Sequence, residues 1–446
     1  MKLDWREATL SGWGRTSRAH VMVCAPAQNV DATEAIRSVA DHGIIAYGNG
    51  RSYGDAALND GGQTLITNRL NQIHSFDPGS GEIVCGPGVT FNDLLRELLP
   101  QGFLVPVSPG TGFATIGGAV ANDVHGKNHD HSGSFGDHVL WIDLLLPSGE
   151  LVRISQDIRP ELFAATIGGV GLTGVMLAIC FRMKPVETNA VALKEQRIKD
   201  LDDFFTAFEY ARSNATYSVG WIDSMARGTN LGRGILETAE LATSTIPVQP
   251  QRRLKVPMDC PSFALNSLSV RAFNHCYYHR ISAQGRKRLL SMERFLYPLD
   301  AILQWNRIYG RRGFYQFQCV LDDAASPLGI RRLLETISQS RAASFLAVLK
   351  TLGGEGQGYL SFPKRGYTLA LDFPRRPDTK ILLAQLESIT LDHGGRIYLA
   401  KDANLSPQAF EHMYPKIDKM RELLDKIDPE QRMMSDLARR LQIRNT

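Results

Sequence analysis

An α+β protein made of two domains is what the sequence predicts, and three observations support that reading. The 446 residues are 43% apolar and 22% charged, with 40 Gly and 21 Pro. Such a chain is long enough to bury two or more cores and is unlike disordered, collagen-like or disulfide-stapled sequences. The first 185 residues alternate short strands and helices between glycine-rich turns, and from about Pro185 the elements lengthen and the glycines thin out.

The elements follow in order. Residues 31–42 (DATEAIRSVADH) predict a helix capped by Asp31, with Glu34 three residues on and Ala35, Val39 and Ala40 on one face. GIIAYGNG is a short apolar strand running into glycines, and EIVCGPGV from Glu82 is a second strand. FNDLLRELLPQG has its apolar residues at helical spacing. LLLPSGELVRI reads as a hairpin around Pro147, Ser148 and Gly149. Residues 162–181 are twenty residues without a charge, about the length a bilayer requires. Gly168, Gly169, Gly171 and Gly174 split that stretch into a short helix and a strand, which favours buried core over a membrane span. In the second half, YQFQCVLD, SFLAVLKTLG, YTLALDFP and GRIYLAKD read as strands with helices between them, and residues 407–442 as a helical tail. Residues 241–268 are Pro-rich, basic and weakly periodic, which predicts a long mobile loop within the second domain. No period of a solenoid or propeller is present.

The net charge is +4, unevenly spread. Residues 241–290 hold Arg252, Arg253, Lys255, Arg271, Arg280, Arg286, Lys287 and Arg288 against Asp259 alone, a local +7 that leaves −3 for the rest. With Phe263, Phe273, Tyr277 and Tyr278 interspersed, this segment allows phosphate neutralisation and base stacking, but no nucleic-acid module pattern accompanies it. A solvated basic surface and a membrane-facing surface are the other readings. The six cysteines (Cys24, Cys85, Cys180, Cys260, Cys276 and Cys319) form no CxxC pair, which argues against structural zinc or a redox dithiol. His125, His129, His131 and His138, with Asp123, Asp130 and Asp137, follow no helical ligand spacing, so no metal is expected. The charged N-terminus, MKLDWREATLSGW, lacks the apolar core of a secretory signal; a cytoplasmic protein or one peripheral at the inner membrane is expected.

Four glycine-rich loops crowd the first domain, at residues 48–55 (GNGRSYGD), 109–120 (PGTGFATIGGAV), 125–136 (HGKNHDHSGSFG) and 166–174 (TIGGVGLTG). Glycines let backbone N–H groups converge on an anion, so such loops suit a pyrophosphate. None has Walker spacing or the dinucleotide spacing with its ribose carboxylate. In the second domain, Gln316 and Gln318 face one side of a strand and Lys350 ends an apolar run, an arrangement suited to a sugar hydroxyl and a phosphate or simply to a solvated sheet face.

The order of these loops resembles the FAD-binding domain of the vanillyl-alcohol-oxidase (PCMH) type. Through YPLDAILQWNRIYGRRGFYQFQCV, LKTLGGEGQGYLSFP, IYLAKDANL and SDLARRL the chain is similar, nearly end to end, to the branch that oxidises polyprenyl-phosphoryl ribose in arabinan precursor synthesis. The resemblance implies an FAD-binding domain over residues 1–187, to which 396–446 return. A substrate domain built on an antiparallel sheet would span 188–395. It implies that Gly48, Asn49, Gly50, Arg51, Ser52, Tyr53 and Gly54 wrap the FAD pyrophosphate, with Tyr53 near the isoalloxazine. Pro109, Gly110, Thr111, Thr115, Gly117, Gly118, Ala119, Asn122, Val124, His125, Gly126, Gly171, Val175 and Tyr398 would complete the cofactor site. Lys401, at the end of the strand IYLAK, matches the family's essential pocket lysine, and with His125 and Tyr53 makes up the expected catalytic set. A lysine desolvated there steadies a developing alkoxide or the anion of the reduced flavin. Gln316, Gln318, Lys350, Trp221, Arg307, Thr368 and Ala370 would contact substrate, with Trp305 and Asn306 flanking.

Departures from the pattern carry their own expectations. Many relatives attach FAD through a His in the first loop; Arg51 stands there and the other attachment loop has no Cys, which implies non-covalent FAD. Ala370 stands where other members have the cysteine attacked by nitroaromatic inhibitors, so such compounds should bind reversibly. Thr368, Leu352 and Leu296 replace an amide, an aromatic and a tyrosine. The expected reaction is oxidation of the 2'-hydroxyl of a polyprenyl-phosphoryl ribose. An NAD-dependent short-chain reductase would then complete an epimerisation to the arabinose, and a membrane surface would supply the substrate. The alternative is an aldonolactone or alditol oxidase acting on a soluble sugar.

Overall fold

The computed structural model describes residues 3–444 except 248–252, 262–263, 341 and 343. Three large sheets carry the chain, and the class is α+β as the sequence predicts. The first sheet orders Arg6–Ser11, Arg18–Cys24, Gln63–Ile66 and Ile44–Tyr47. In Arg18–Cys24 the buried Ala19, Val21 and Val23 alternate with exposed His20 and Met22, the period-two signature of a strand with one wet face. The second sheet is antiparallel, in the order Ile73–Asp77, Glu82–Cys85, Val175–Arg182, Val139–Leu145, Leu151–Ser155. Its central strand Val175–Arg182 is buried but for Arg182.

The uncharged stretch at 162–181 divides as its glycines demand. Helix Pro160–Thr166 ends, the turn runs through Gly168 (φ +71°), Gly171 (φ +82°) and Gly174 (φ +148°), and the strand follows. Those φ values lie where a Cβ is strained, so the turn depends on glycine. Among the described residues no helix is long and apolar enough to cross a membrane.

The third sheet has eight antiparallel strands: Arg286–Ser291, Ala190–Ile198, Gly234–Leu241, Tyr217–Ile222, Ala347–Leu352, Gly366–Pro374, Phe314–Leu321 and Arg396–Ile397. Helices Leu201–Asn214, Ser326–Ser340 and Thr379–Asp392 pack on one face. Alternation sorts the strands accordingly: Tyr315, Phe317, Cys319, Leu349, Leu369, Leu371 and Phe373 join the core with Phe204, Phe208, Leu333 and Leu386. The intervening residues Gln316, Gln318, Lys350 and Ala370 turn the other way. That same core holds Ile44, Ile45 and Leu65 of the first sheet together with Phe410, Met420 and Leu437 of the C-terminal helices.

The C-terminal segment returns to the first sheet. The N–H of Ile44 donates to Arg432 O at 2.7 Å and that of Met434 to Ile44 O at 3.0 Å. Arg440 then binds two carboxylates: Nε and Nη2 donate to Asp55 at 2.8 Å each, Nη2 also to Asp402 at 2.8 Å, and Nη1 to Leu405 O at 2.8 Å.

Four local expectations are corrected. The first helix is Asn29–Arg37, so Asp31 lies in its first turn rather than at the cap, where its charge still opposes the helix dipole. Its buried face is Ala32, Ala35 and Ile36, and Ala40 is exposed. The strand in GRIYLAKD is only Arg396–Ile397, and Lys401 sits in the turn that follows. The tail is three helices, Pro407–Met413, Ile417–Ile427 and Asp436–Arg440. The segment at 241–268 is tied rather than free: Leu254–Lys255 pairs with Ile302–Leu303, and Arg15 forms a bidentate pair with Asp259 at 2.6 and 3.2 Å. Arg252 and Phe263 lie outside the described residues.

Replacing Arg440 by methionine should cost about 3 to 5 kcal/mol, because Asp55 and Asp402 would remain buried as unpaired charges. A denaturant titration is expected to show the midpoint fall by the corresponding amount; an unmoved midpoint would contradict the role given to this pair.

Candidate active site

The face of the third sheet opposite its helices meets the glycine loops across a cavity of about 470 Å3, within the range of small-molecule sites. The loops are held together by short polar contacts. Asn49 Nδ2 donates to Phe113 O at 3.0 Å, joining the first loop to the second. Thr111 Oγ1 and the Gly112 N–H both donate to Asp300, at 2.7 Å each. Thr115 caps helix Ile116–Ala121, accepting from the Gly118 N–H. A Cβ on Gly48 would stand 2.5 Å from Thr115 Oγ1 and one on Gly54 1.8 Å from Asp402 O, so close approach requires glycine at both positions.

Inside the first loop the backbone N–H groups of Asn49, Gly50, Arg51 and Ser52 donate to no protein acceptor among the described residues. Successive free donors of this kind form a concave nest for an anion. Asn122 Oδ1, Arg51 Nε and His125 Nδ1 are buried without a hydrogen-bond partner, and all three residues line the cavity. A Cβ on Gly110 would meet nothing within 4 Å, so the second loop also leaves room. These free groups fit an extended pyrophosphate cofactor such as FAD. Arg51 lies between Trp13 and Phe113, its guanidinium carbon 4.2 and 4.8 Å from the ring centroids, a geometry of cation–π contact.

The catalytic candidates converge at the other end. Lys401 Nζ stands 3.9 Å from the centroid of the Tyr53 ring. Burial pulls its pKa down to about 8, with Asp372 opposing. Lys350 is pulled down to about 7, first by burial and then by Lys401 and Lys127. Gln318 Nε2 lies 3.0 Å from His125 Nε2 and 3.2 Å from Thr368 Oγ1. With the amide nitrogen so placed, the imidazole accepts at Nε2 and carries its proton on Nδ1. Burial, then Lys350, His129 and Lys401, hold His125 neutral, well below the usual histidine range. Trp221 donates its indole N–H to Phe345 O at 3.0 Å and so offers its ring to the cavity.

Most residues singled out in the sequence line this one cavity: those of the first loop, the second loop from Pro109 to Gly118, Asn122, Val124, His125, Gly126, Gly171, Val175, Tyr398 and Lys401, with Trp221, Trp305, Gln316, Gln318, Lys350 and Ala370. Three do not. Ala119 is fully buried in the core beneath its helix, and Thr368 stands behind Gln318. Arg307 turns away to the carbonyls of Pro257 (2.7 Å) and Val256 (3.4 Å). Asn306 likewise bonds Trp13 O at 3.1 Å, and Leu352 is core. The histidines of the third loop diverge: His129 accepts from the Gly353 N–H, His131 bonds Ala215 O and His138 bonds Ser132 O. Among the described residues no three His, Cys, Asp or Glu side chains form a metal-sized group.

Sequence reasoning missed Lys127, whose Nζ donates to Phe295 O at 2.5 Å over the Phe295 ring, and Glu237 and Tyr277 on the same wall. It also missed Asp372, which accepts from Gln316 Nε2 at 2.5 Å and from Tyr309 OH at 3.3 Å. A charge at an inward position of the apolar strand YTLALDFP was the available signal.

Comparison with known proteins agrees with this geometry. Residues 21–155 match the model of the FAD binding domain, and residues 370–441 that of D-arabinono-1,4-lactone oxidase. Over 97% of both chains the sequence is 36% identical to decaprenylphosphoryl-beta-D-ribose oxidase of Mycolicibacterium smegmatis. It is 33% identical to an uncharacterized protein in the mprA 5' region of Streptomyces coelicolor, over 79% of this chain and all of that one. A D-arabinono-1,4-lactone oxidase of Yarrowia lipolytica is 24% identical over 38% of this chain and 33% of its own. An FAD-nest geometry, a full-length likeness above 30% and a matching cofactor domain together place the chain in the decaprenylphosphoryl-beta-D-ribose oxidase family of FAD-dependent oxidoreductases, with a PCMH-type FAD-binding domain.

Proposed function

We propose that the chain oxidises the 2'-hydroxyl of a polyprenyl-phosphoryl ribose to the 2'-keto sugar. Lys350 is the observation that carries this reading. It is a half-buried lysine facing the cavity, and the charged groups acting on it are two more lysines, Lys401 and Lys127. An anion among these amines favours their charged forms, and a phosphate supplies one. A neutral lactone does not. The lactone reading draws support from the match over residues 370–441 and is the alternative.

The glycine loops at 48–54 and 109–118 would hold FAD, which would supply the acceptor for the hydride of the carbinol carbon. The chain's own groups orient and stabilise. Gln316 and Gln318 present amides to the sugar hydroxyls, and Lys350 holds the phosphate. Lys401, over Tyr53, places an ammonium beside the reacting oxygen, where its charge favours loss of the hydroxyl proton. His125, neutral and fixed by Gln318, presents its Nδ1–H to the same space. The FAD-binding part would comprise residues 1–187 with 396–446, and the substrate part 188–395; the product ketone then passes to an NAD-dependent short-chain reductase that completes the epimerisation.

A lipid-borne substrate calls for a membrane surface. Exposed Leu254, Met258 and Leu268 lie in the chain among Arg253, Lys255 and Arg271, a combination suited to an anionic leaflet. Arg280, Arg286 and Arg288 of the basic segment are internally engaged. All three contact the fully buried Glu195, at 2.7 to 3.0 Å.

Anaerobic addition of detergent-dispersed polyprenyl-phosphoryl ribose should bleach the visible flavin band, and arabinono-1,4-lactone should leave it; the reverse result would favour the lactone reading. Lys350→Met is expected to raise KM for the phosphorylated substrate about 10- to 100-fold, the worth of one charged hydrogen bond. Since a guanidinium at position 51 offers no imidazole to attach, trichloroacetic acid should release all FAD and leave a colourless pellet. Lys255→Glu with Arg271→Glu should lower sedimentation with anionic liposomes while sparing flavin content; equal sedimentation would assign the segment to solvent.

A further inference from the structure

Gln318 rises from the substrate sheet with half of its amide already committed. Strand Gly366–Pro374 runs between Phe314–Leu321 and Ala347–Leu352, in a register that sets Ala370 opposite Gln318 and Thr368 opposite Lys350. Thr368 is thus the diagonal neighbour of Gln318 on one face of the sheet. It is buried and stops short of the cavity. Its Oγ1 lies 3.2 Å from Gln318 Nε2, and His125 Nε2 lies 3.0 Å from the same nitrogen. An amide nitrogen has two N–H groups, so both are taken. The imidazole that takes one is itself fixed. Its ring lies 5.4 Å from that of Phe362 and 5.3 Å from that of Tyr398, whose hydroxyl donates to Asn122 O at 2.9 Å.

What remains of the amide is its carbonyl. Gln318 Oε1 accepts from no donor among the described residues, and it is not one of the enclosed atoms, so its open surface belongs to the cavity that Gln318 lines. A hydroxyl and an imidazole can each donate as well as accept, and alone they would also hold the amide turned the other way. The lysines decide between the two. Lys350 and Lys401 line the same cavity, and an ammonium group only donates. A carbonyl oxygen turned toward those cations is attracted, and an amide NH2 turned toward them is repelled. Gln316, two residues back on the same face, likewise turns its Nε2 to the wall, where it donates to Asp372.

We propose that Thr368 is a positioning residue: with His125 it holds the Gln318 amide so that Oε1, an acceptor alone, meets the ligand and selects a hydroxyl there. A hydroxyl donates to Oε1 while it accepts from an ammonium. A ketone, an ether or a fluorine can only accept, and sets its lone pairs against the carbonyl. The hydroxyl as ligand rests on the sugar reading above; the polarity of the amide is a property of the chain by itself.

The first measurement needs no sugar. Holoenzyme isotopically labelled at histidine nitrogen, with the His125 signals assigned by their loss in His125→Ala, should show by NMR a proton on Nδ1 and an acceptor at Nε2. Gln318→Glu has no N–H to give to His125 and should move that proton to Nε2. A proton on Nε2 in the wild type means that the amide is turned the other way, and overturns the proposal. The second measurement is anaerobic bleaching of the flavin by polyprenyl-phosphoryl ribose. Thr368→Val keeps the shape of the side chain without its hydroxyl, and should raise KM about 3- to 10-fold, the worth of one neutral hydrogen bond. Thr368→Ser should restore it, and Thr368→Ala reads the same loss should the Val variant not fold. Among analogues with one ribose hydroxyl replaced by fluorine, one should bind the wild type about 10- to 100-fold more weakly than the parent, and Gln318→Met should not distinguish the two. An unchanged KM in the folded Thr368 variants, or equal losses in wild type and Gln318→Met for every analogue, overturns the proposal. A parent sugar that leaves the flavin unbleached refutes the substrate reading instead, and the tautomer of His125 then decides the proposal.

Discussion

Arg440 is the tie on which the site depends. It reaches from a C-terminal helix to Asp55 at the end of the first glycine loop and to Asp402 beside the pocket lysine, with all contacts at 2.8 Å. Both carboxylates are nearly buried, and the guanidinium, held charged by them, gains two partners in a fixed fork. The backbone extends the tie: the Tyr53 N–H donates to Ala400 O at 2.9 Å, just before Lys401. Loop, lysine turn and chain terminus therefore move as one body. A free nest of N–H groups tends to collapse onto its own carbonyls; rigid flanks keep it open for an anion.

The cavity gathers charge that the fold alone would not tolerate. Lys127, Lys350 and Lys401 line one cavity, each lowered by burial. The cost is borne by well-packed surroundings: Tyr309 stacks on Phe314 and Phe345, with centroids 4.1 and 5.4 Å apart, and Tyr53 meets Phe314 edge-on at 5.5 Å. Aromatic packing next to the lysines lowers the local dielectric, which strengthens the electrostatic interactions inside. Local instability of this kind is what binding sites store, and occupancy by anionic ligands relieves it.

Much of this was legible in the sequence, for identifiable reasons. Period-two alternation in YQFQCVLD sent Gln316 and Gln318 to one face, and the glycines of 166–174 divided an apolar run that length alone would have assigned to a bilayer. What escaped depended on partners distant in the chain. The helix at Asn29–Arg37 starts two residues before Asp31 because Gln28, not the acidic residue, adopts the extended cap conformation. The basic segment looked unpaired, yet Glu195, some ninety residues upstream, takes up three of its arginines. Arg307 promised a pocket cation by its place beside Trp305, but a short helical turn rotates it onto backbone carbonyls. Asp372 and Lys127 were legible only as charges in apolar company; what gives them meaning is the cavity between two sheets that composition does not reveal.

The sheet's alternation has a further consequence. One face of Tyr217–Ile222, Ala347–Leu352, Gly366–Pro374 and Phe314–Leu321 is committed to packing against helices, where a change of one methylene is felt throughout the core. The other face carries Trp221, Lys350, Ala370, Gln316 and Gln318 and faces the cavity. Substitution there changes chemistry without disturbing the fold. Ala370 illustrates it: flanked by Val348 and Gln318 across the sheet, its single methyl leaves cavity space beside that amide. The flavin side has no such freedom, because a Cβ added to Gly48 or Gly54 would stand under 3 Å from Thr115 or Asp402. Substrate choice can therefore drift along four strands while the redox half of the site stays as it is.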